Sequence, residues 1–247
     1  GRQIANAHTL FNVANVILLL PFSSLLVKVA QKFHFGKVAE DQEGLKYLDA
    51  RILETPSVAI LMAKKEVLRM GKIVDENLAR AQEAFVEKNE KKIEQVFKTE
   101  RQINMLEHDI SHYTSQLLNL SLSDDQHAVI KVLINTITDL ERVGVHADNI
   151  AEWAQYMVDH NVNISEKAMG ELQDMFEKVK DSYEDSLTVY KTLDHYLANK
   201  VIENDKKIDQ IEKMYREKHI ERLNNKECQT TSGIVFLDVI SNLERIG

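Results

Sequence analysis

The residues of this sequence with the clearest chemistry are acids at helical spacing. Asp205, Asp209 and Glu212 stand at i, i+4 and i+7, and Glu141, Asp148 and Glu152 form a second stripe. Acids four or seven apart share one helix face, so two facing stripes would surround a hard cation with oxygen ligands. Acids beside an apolar seam also serve as plain solvated charge, and spacing alone leaves both readings open. His108 and His112 are i, i+4 beside Glu107, but the catalytic zinc signature puts Glu directly after the first His. Asp109 stands there instead and no third ligand follows, so the pair reads as a polar face. A ferritin-like di-metal centre needs Glu three residues before His on two helices. None of the nine histidines has one there. There is no Gly-rich phosphate loop, no G-x-S-x-G elbow and no nucleophile beside a base. Cys228, within ECQTTSG, has no obvious basic partner and reads as an idle thiol. As the only cysteine it excludes an internal disulfide and a thiolate zinc cage. The expectation is a protein that is not an enzyme.

The elements that must carry these acids are helices. Two prolines and eight glycines in 247 residues leave few tight turns, and 28% charged residues suit amphipathic helices with solvated outer faces. A net charge of −8 argues against a nucleic-acid footprint, which needs a clustered basic face. One helix triplet occurs twice. Met70-Gly71 recurs at Met169-Gly170, VFKTERQINMLE from Val96 aligns with VIENDKKIDQIE from Val201, and DLERVG from Asp139 aligns with NLERIG from Asn242. Order is kept while the offsets, 99, 105 and 103, drift by a few residues, as expected where loops vary and helices do not.

The third helix carries a heptad seam, Ile130, Leu133, Ile137, Leu140, Gly144, Ala147, Ala151 and Ala154, suited to near-parallel bundle packing. Leu197, Val201, Asn204, Ile208, Ile211 and Tyr215 trace the same spacing in the second triplet. Ser123 with Gln126 predicts a capping box, and Thr55 before Pro56 predicts an N-cap with proline in the first turn.

Composition shifts near residue 33. Leu10–Ala30, LFNVANVILLLPFSSLLVKVA, has the length and apolarity of a membrane-spanning helix. His8, Asn12 and Asn15 form one polar stripe on it, predicted to face other helices or a wet cavity rather than lipid. Lys28, Lys32 and Lys37 follow without nearby acids and mark the cytoplasmic side. The expected organisation is all-α: a transmembrane helix at 1–33, a connector at 34–56, one three-helix bundle at 57–160 and a second at 161–247. Neither Gly1 nor Gly247 reads as a natural terminus, which predicts a fragment lacking the rest of its membrane domain.

DLERVGVHADNIAE, from Asp139 to Glu152, resembles the PhoU helix pattern, and NLERIG resembles its second copy. RQIANAHTLFNVANVILLLPF, LDARILETPSVAI and LRMG resemble the last membrane segment and junction of bacterial sodium/phosphate symporters. The resemblance implies two tandem three-helix PhoU-like bundles. It also implies regulation of sodium-dependent phosphate uptake at the inner (plasma) membrane, with residues from about 34 onward in the cytoplasm. Its divalent or ferric metal clusters would fall on E/D-x-x-x-D motifs. Asp205 and Asp209 match such a motif, and Glu244 matches its first position. Glu100 is followed by Asn104, and Glu141 by Val145, where the motif has Asp. Sodium and phosphate sites would lie upstream. The implied partners are the membrane domain of the same protein, the lipid bilayer, and a second copy or a phosphate-signalling protein, with no nucleic acid. The alternative is a membrane-tethered helical signalling protein without transport activity.

Overall fold

The computed structural model describes residues 44–247 and Phe11. The stripe His8, Asn12 and Asn15, and all of Leu10–Ala30 except Phe11, lie outside the described residues. Among the described residues no helix is long and apolar enough to cross a membrane.

Residues 44–247 hold a 3-10 turn, Ala50–Glu54, then six α-helices and no strand: α1 Pro56–Glu87, α2 Glu90–Leu118, α3 Asp124–Asp159, α4 Glu166–Thr192, α5 His195–Asn224 and α6 Thr230–Ile246. Local chemistry sets most boundaries. Pro56 opens α1 at the position where a missing N–H costs nothing, although the Thr55 side chain makes no capping bond. Asn89 caps α2 by accepting from Lys91 N and Lys92 N. The reciprocal box of Ser123 and Gln126 starts α3. α1 ends in a left-handed Lys88 directly before the Asn89 cap, and α4 ends in a left-handed Leu193 directly before the Asp194 cap of α5. The same two-residue turn therefore recurs 105 residues later, the offset already seen between α2 and α5.

Helices α1, α2 and α3 pack mutually as one bundle, and α4, α5 and α6 as another. α1 lies on α4 and α3 on α6, which joins the two bundles. All eight residues of the α3 seam are buried. The second seam differs from its pattern. On α5 only Ile208 of the six is fully enclosed, and the other buried residues are Glu212, His219 and Arg222. Ile208 is the seam residue that lies against Gly247, where α6 crosses α5.

A repeated close contact sets the distance between second and third helices. A Cβ built on Gly144 would lie 3.2 Å from Ile103 Cγ2, and one on Gly247 would lie 2.7 Å from Ile208 Cδ1. Only a residue without a side chain lets α3 approach α2, and α6 approach α5, this closely.

Candidate functional site

These approaches bring the acids together. Glu141 and Glu244 each stand three residues before the close-packed glycine, on the helix face turned toward the second helix of their triplet. Glu244 is half-buried, and its carboxyl is pushed above the ordinary range by burial first. Asp209, Glu212 and Asp205 then add to the rise, while Arg245 opposes it. Glu141 is raised in the same way by burial, then by Glu107 and Glu100, against Arg142 and His146. Asp148, two turns further along α3, is pushed up to about 6 by burial and by Glu100 and Glu152, with Arg101 opposing. Each triplet thus holds a cluster of mutually repelling carboxylates at the same place in its fold.

The two clusters differ in what occupies their oxygens. In the first, Asn104 Nδ2 donates to Glu100 Oε1, Ser111 Oγ donates to Glu107 Oε1 at 3.0 Å, and Val145 is exposed with nothing to ligate. In the second, Glu212 is held by the Arg216 guanidinium, while Asp205 and Asp209 make no hydrogen bond or ion pair among the described residues. Among the described residues no three His, Cys, Asp or Glu side chains are grouped closely enough to hold a metal ion. The second cluster's all-oxygen donors suit a hard cation in kind. Glu107 was missed as a cluster member in the sequence, though it aligns with Glu212 at the 105-residue offset. His108 and His112 are exposed, and the latter sits 3.2 Å from Gln116 Nε2.

A polar clamp fastens α6 to α3 beside these clusters. Asn242 Oδ1 accepts from Asn149 Nδ2 and His146 Nδ1, both at 3.0 Å. That acceptor places the imidazole proton on Nδ1. Asn242 Nδ2 donates to Asp238 O at 2.9 Å and to Asp238 Oδ2 at 3.2 Å, and Trp153 Nε1 donates to the same carboxylate. A second polar group lies inside the second bundle. Arg222 donates from Nη1 to Glu171 Oε1 at 2.9 Å and from Nη2 to Oε2 at 2.6 Å, while His219 stacks on Phe236.

Two copies of one three-helix unit, each with acidic residues between its second and third helices, define a tandem all-helical bundle. The family model described as the PhoU domain matches twice, over residues 67–154 and 172–247. The chain belongs to the PhoU domain family. It is 32% identical to a phosphate-specific transport system accessory protein PhoU homolog of Aquifex aeolicus, covering 60% of this chain and 66% of that protein. It is 20% identical to the putative inorganic phosphate export protein YjbB of Salmonella typhimurium, covering 97% of this chain but only 44% of that protein. The crystal structure of the phosphate transport system regulatory protein PhoU from Streptococcus pneumoniae superimposes with a TM-score of 0.69 at 21% identity, covering 78% of this chain and 89% of that one.

Proposed function

We propose that this chain is the PhoU-like regulatory part of a membrane phosphate carrier of the sodium-dependent type, seated in the inner membrane through Leu10–Ala30. The observation that carries the reading is the reach of one alignment. The Aquifex relative aligns with 60% of the chain, whereas the phosphate export protein aligns with 97% and leaves about seven residues outside. The apolar run therefore falls inside a match to a putative inorganic phosphate export protein more than twice as long. Lys28, Lys32 and Lys37 support a cytoplasmic side for the helical bundles. The remainder of that longer protein is the expected partner.

The regulatory step would run through the connector. Its end is tied to the bundle: Lys46 N and Tyr47 N donate to Glu66 Oε2, Arg69 Nη2 donates to Gly44 O, and Tyr113 Oη donates to Asp49 O. A shift of the bundles would move residue 44 with them, and with it the chain that leads toward the membrane segment. In the same reading Asp205, Asp209 and Glu244 hold a divalent or ferric cation, with Glu141 and Glu100 a weaker counterpart. A bound cation would supply positive charge that relieves the repulsion among these carboxylates.

The test uses the complete reading frame in cells lacking their own phosphate carriers. Phosphate uptake and efflux, with and without sodium, are compared for the intact protein and for a version ending near Pro56. Transport by both, with only the intact form responding to internal phosphate, supports the reading. Loss of that response after a flexible linker is inserted before Gly44 supports coupling through the connector. If neither form moves phosphate, the carrier reading fails and a membrane-tethered signalling protein replaces it.

A further inference from the structure

A basic groove lies away from both acidic clusters, where the connector meets α1 and α4. Lys65, Arg69 and Lys72 stand at i, i+4 and i+7 on α1 and so share one face. Lys46 and Tyr47 from the connector, Leu68 from α1 and Lys191 from the last turn of α4 complete the lining of a groove of about 500 Å³. That is the size range of small-ligand sites. No acid lines it.

The acid beside it is already committed. Glu66 is fully buried and accepts from Lys46 N at 3.0 Å, from Tyr47 N at 2.5 Å and from Arg69 Nε at 2.6 Å. Lys65, Lys72 and Lys191 are exposed and make no ion pair among the described residues. Three lysines elsewhere sit against carboxylates: Lys92 against Glu83 and Glu87, Lys178 against Asp174, Lys200 against Asp185. A lysine in a last helical turn, such as Lys191, complements the helix dipole. Lys65 and Lys72, in the body of α1, have no such local reason. Converging cations in a chain of net charge −8 repel one another and raise the local concentration of anions.

We propose that this groove binds phosphoryl groups, presented either by a soluble di- or polyphosphate or by anionic phospholipid headgroups. Ammonium groups bind phosphate as point charges, and three of the lining elements approach from different sides. Because the lining comes from the connector, the first bundle and the second bundle, an occupant would bridge all three. The inference stands independently of the carrier reading, since its test needs no transport.

The test is an acylation footprint on the full chain, held in nanodiscs and read by mass spectrometry. In zwitterionic phosphatidylcholine discs, inorganic pyrophosphate is the probe; in a second arm, phosphatidylglycerol discs without pyrophosphate are used. Acylation of Lys46, Lys65, Lys72 and Lys191 is expected to slow about fivefold or more in at least one arm, with Lys131 and Lys213 unchanged, and to recover at high salt. Slowing by pyrophosphate assigns the groove to a soluble polyphosphate, and slowing by phosphatidylglycerol alone assigns it to headgroups. The double variant Lys65→Gln with Lys72→Gln, at unchanged helix content, should leave Lys46 and Lys191 unprotected. No slowing in either arm, or equal slowing at Lys131 and Lys213, overturns the proposal.

Discussion

Replacing Arg222 by Met should unfold the second bundle more readily than any surface change, and the structure sets the size of the effect. Glu171 and Arg222 are 9% and 7% exposed, paired through two hydrogen bonds of 2.9 and 2.6 Å. The guanidinium also lies 5.6 Å from the Phe236 ring centroid and donates from Nη2 to His219 Nδ1 at 3.0 Å. Methionine fills much of the volume but leaves the Glu171 carboxylate buried with no cation. Breaking such a pair from one side costs about 3–5 kcal/mol. The loss should shrink in acid, because an unpaired buried carboxyl binds a proton more readily in the folded chain than in the unfolded one. Glu171→Leu together with Arg222→Met removes both charges and should return to within about 1–2 kcal/mol of the parent chain. Urea unfolding followed by circular dichroism, at neutral and acidic pH, reads all three variants. A loss below about 1 kcal/mol for Arg222→Met, or a double variant no better than the single, would refute the reasoning.

Asp148→Asn should stabilise the chain. The folded carboxyl titrates near 6 rather than 3.8, so the folded state holds a proton that the unfolded state has released, and stability falls as pH rises through that window. Discounted for partial exposure, the gain at neutral pH is about 1–2 kcal/mol, vanishing below about pH 4; a gain that grows in acid would contradict it. Gly144→Val should cost about 2–3 kcal/mol in the same unfolding assay, because a Cβ there already meets Ile103 Cγ2 at 3.2 Å. Leu193→Gly should gain about 0.5–1 kcal/mol, seen as a higher melting temperature, since Leu193 is 70% exposed at φ 58° and glycine carries no left-handed penalty. Manganese at about a hundredfold over its dissociation constant should stabilise the parent chain by about 2–3 kcal/mol. Asp209→Asn or Glu244→Gln should abolish that shift and Glu100→Gln should not; no shift in the parent chain removes the cation reading.

What was legible in the sequence was what one helix can state about itself. The α3 seam from Ile130 to Ala154 is readable because heptad spacing and small residues act within a single element, and Ser123 with Gln126 cap their own helix. What needed the structure was decided between elements. The α5 pattern from Leu197 to Tyr215 reads as an apolar seam, yet only Ile208 of its six residues is buried, and further along α5 the buried positions are Glu212, His219 and Arg222. Arg222 is buried only because Glu171, 51 residues away, meets it. Lys65, Arg69 and Lys72 show their common face in the sequence, whereas the convergence of Lys46 and Lys191 on that face is tertiary. The clamp on Asn242 joins residues 93 and 96 apart, beyond any local pattern.

The two triplets keep one frame and differ in its chemistry. The glycine-to-isoleucine approach and the left-handed turn before a capping residue occur in both. At the position of Asp209 the first triplet has Asn104, which satisfies Glu100 by a neutral hydrogen bond and lowers the need for a cation. At the position of Asp139 the second triplet has Asn242, whose amide can both accept from α3 and donate within α6. A carboxylate there would have four acceptor sites and no donor for Asp238. Identity between the repeats therefore breaks where they bind one another and where they would bind an ion.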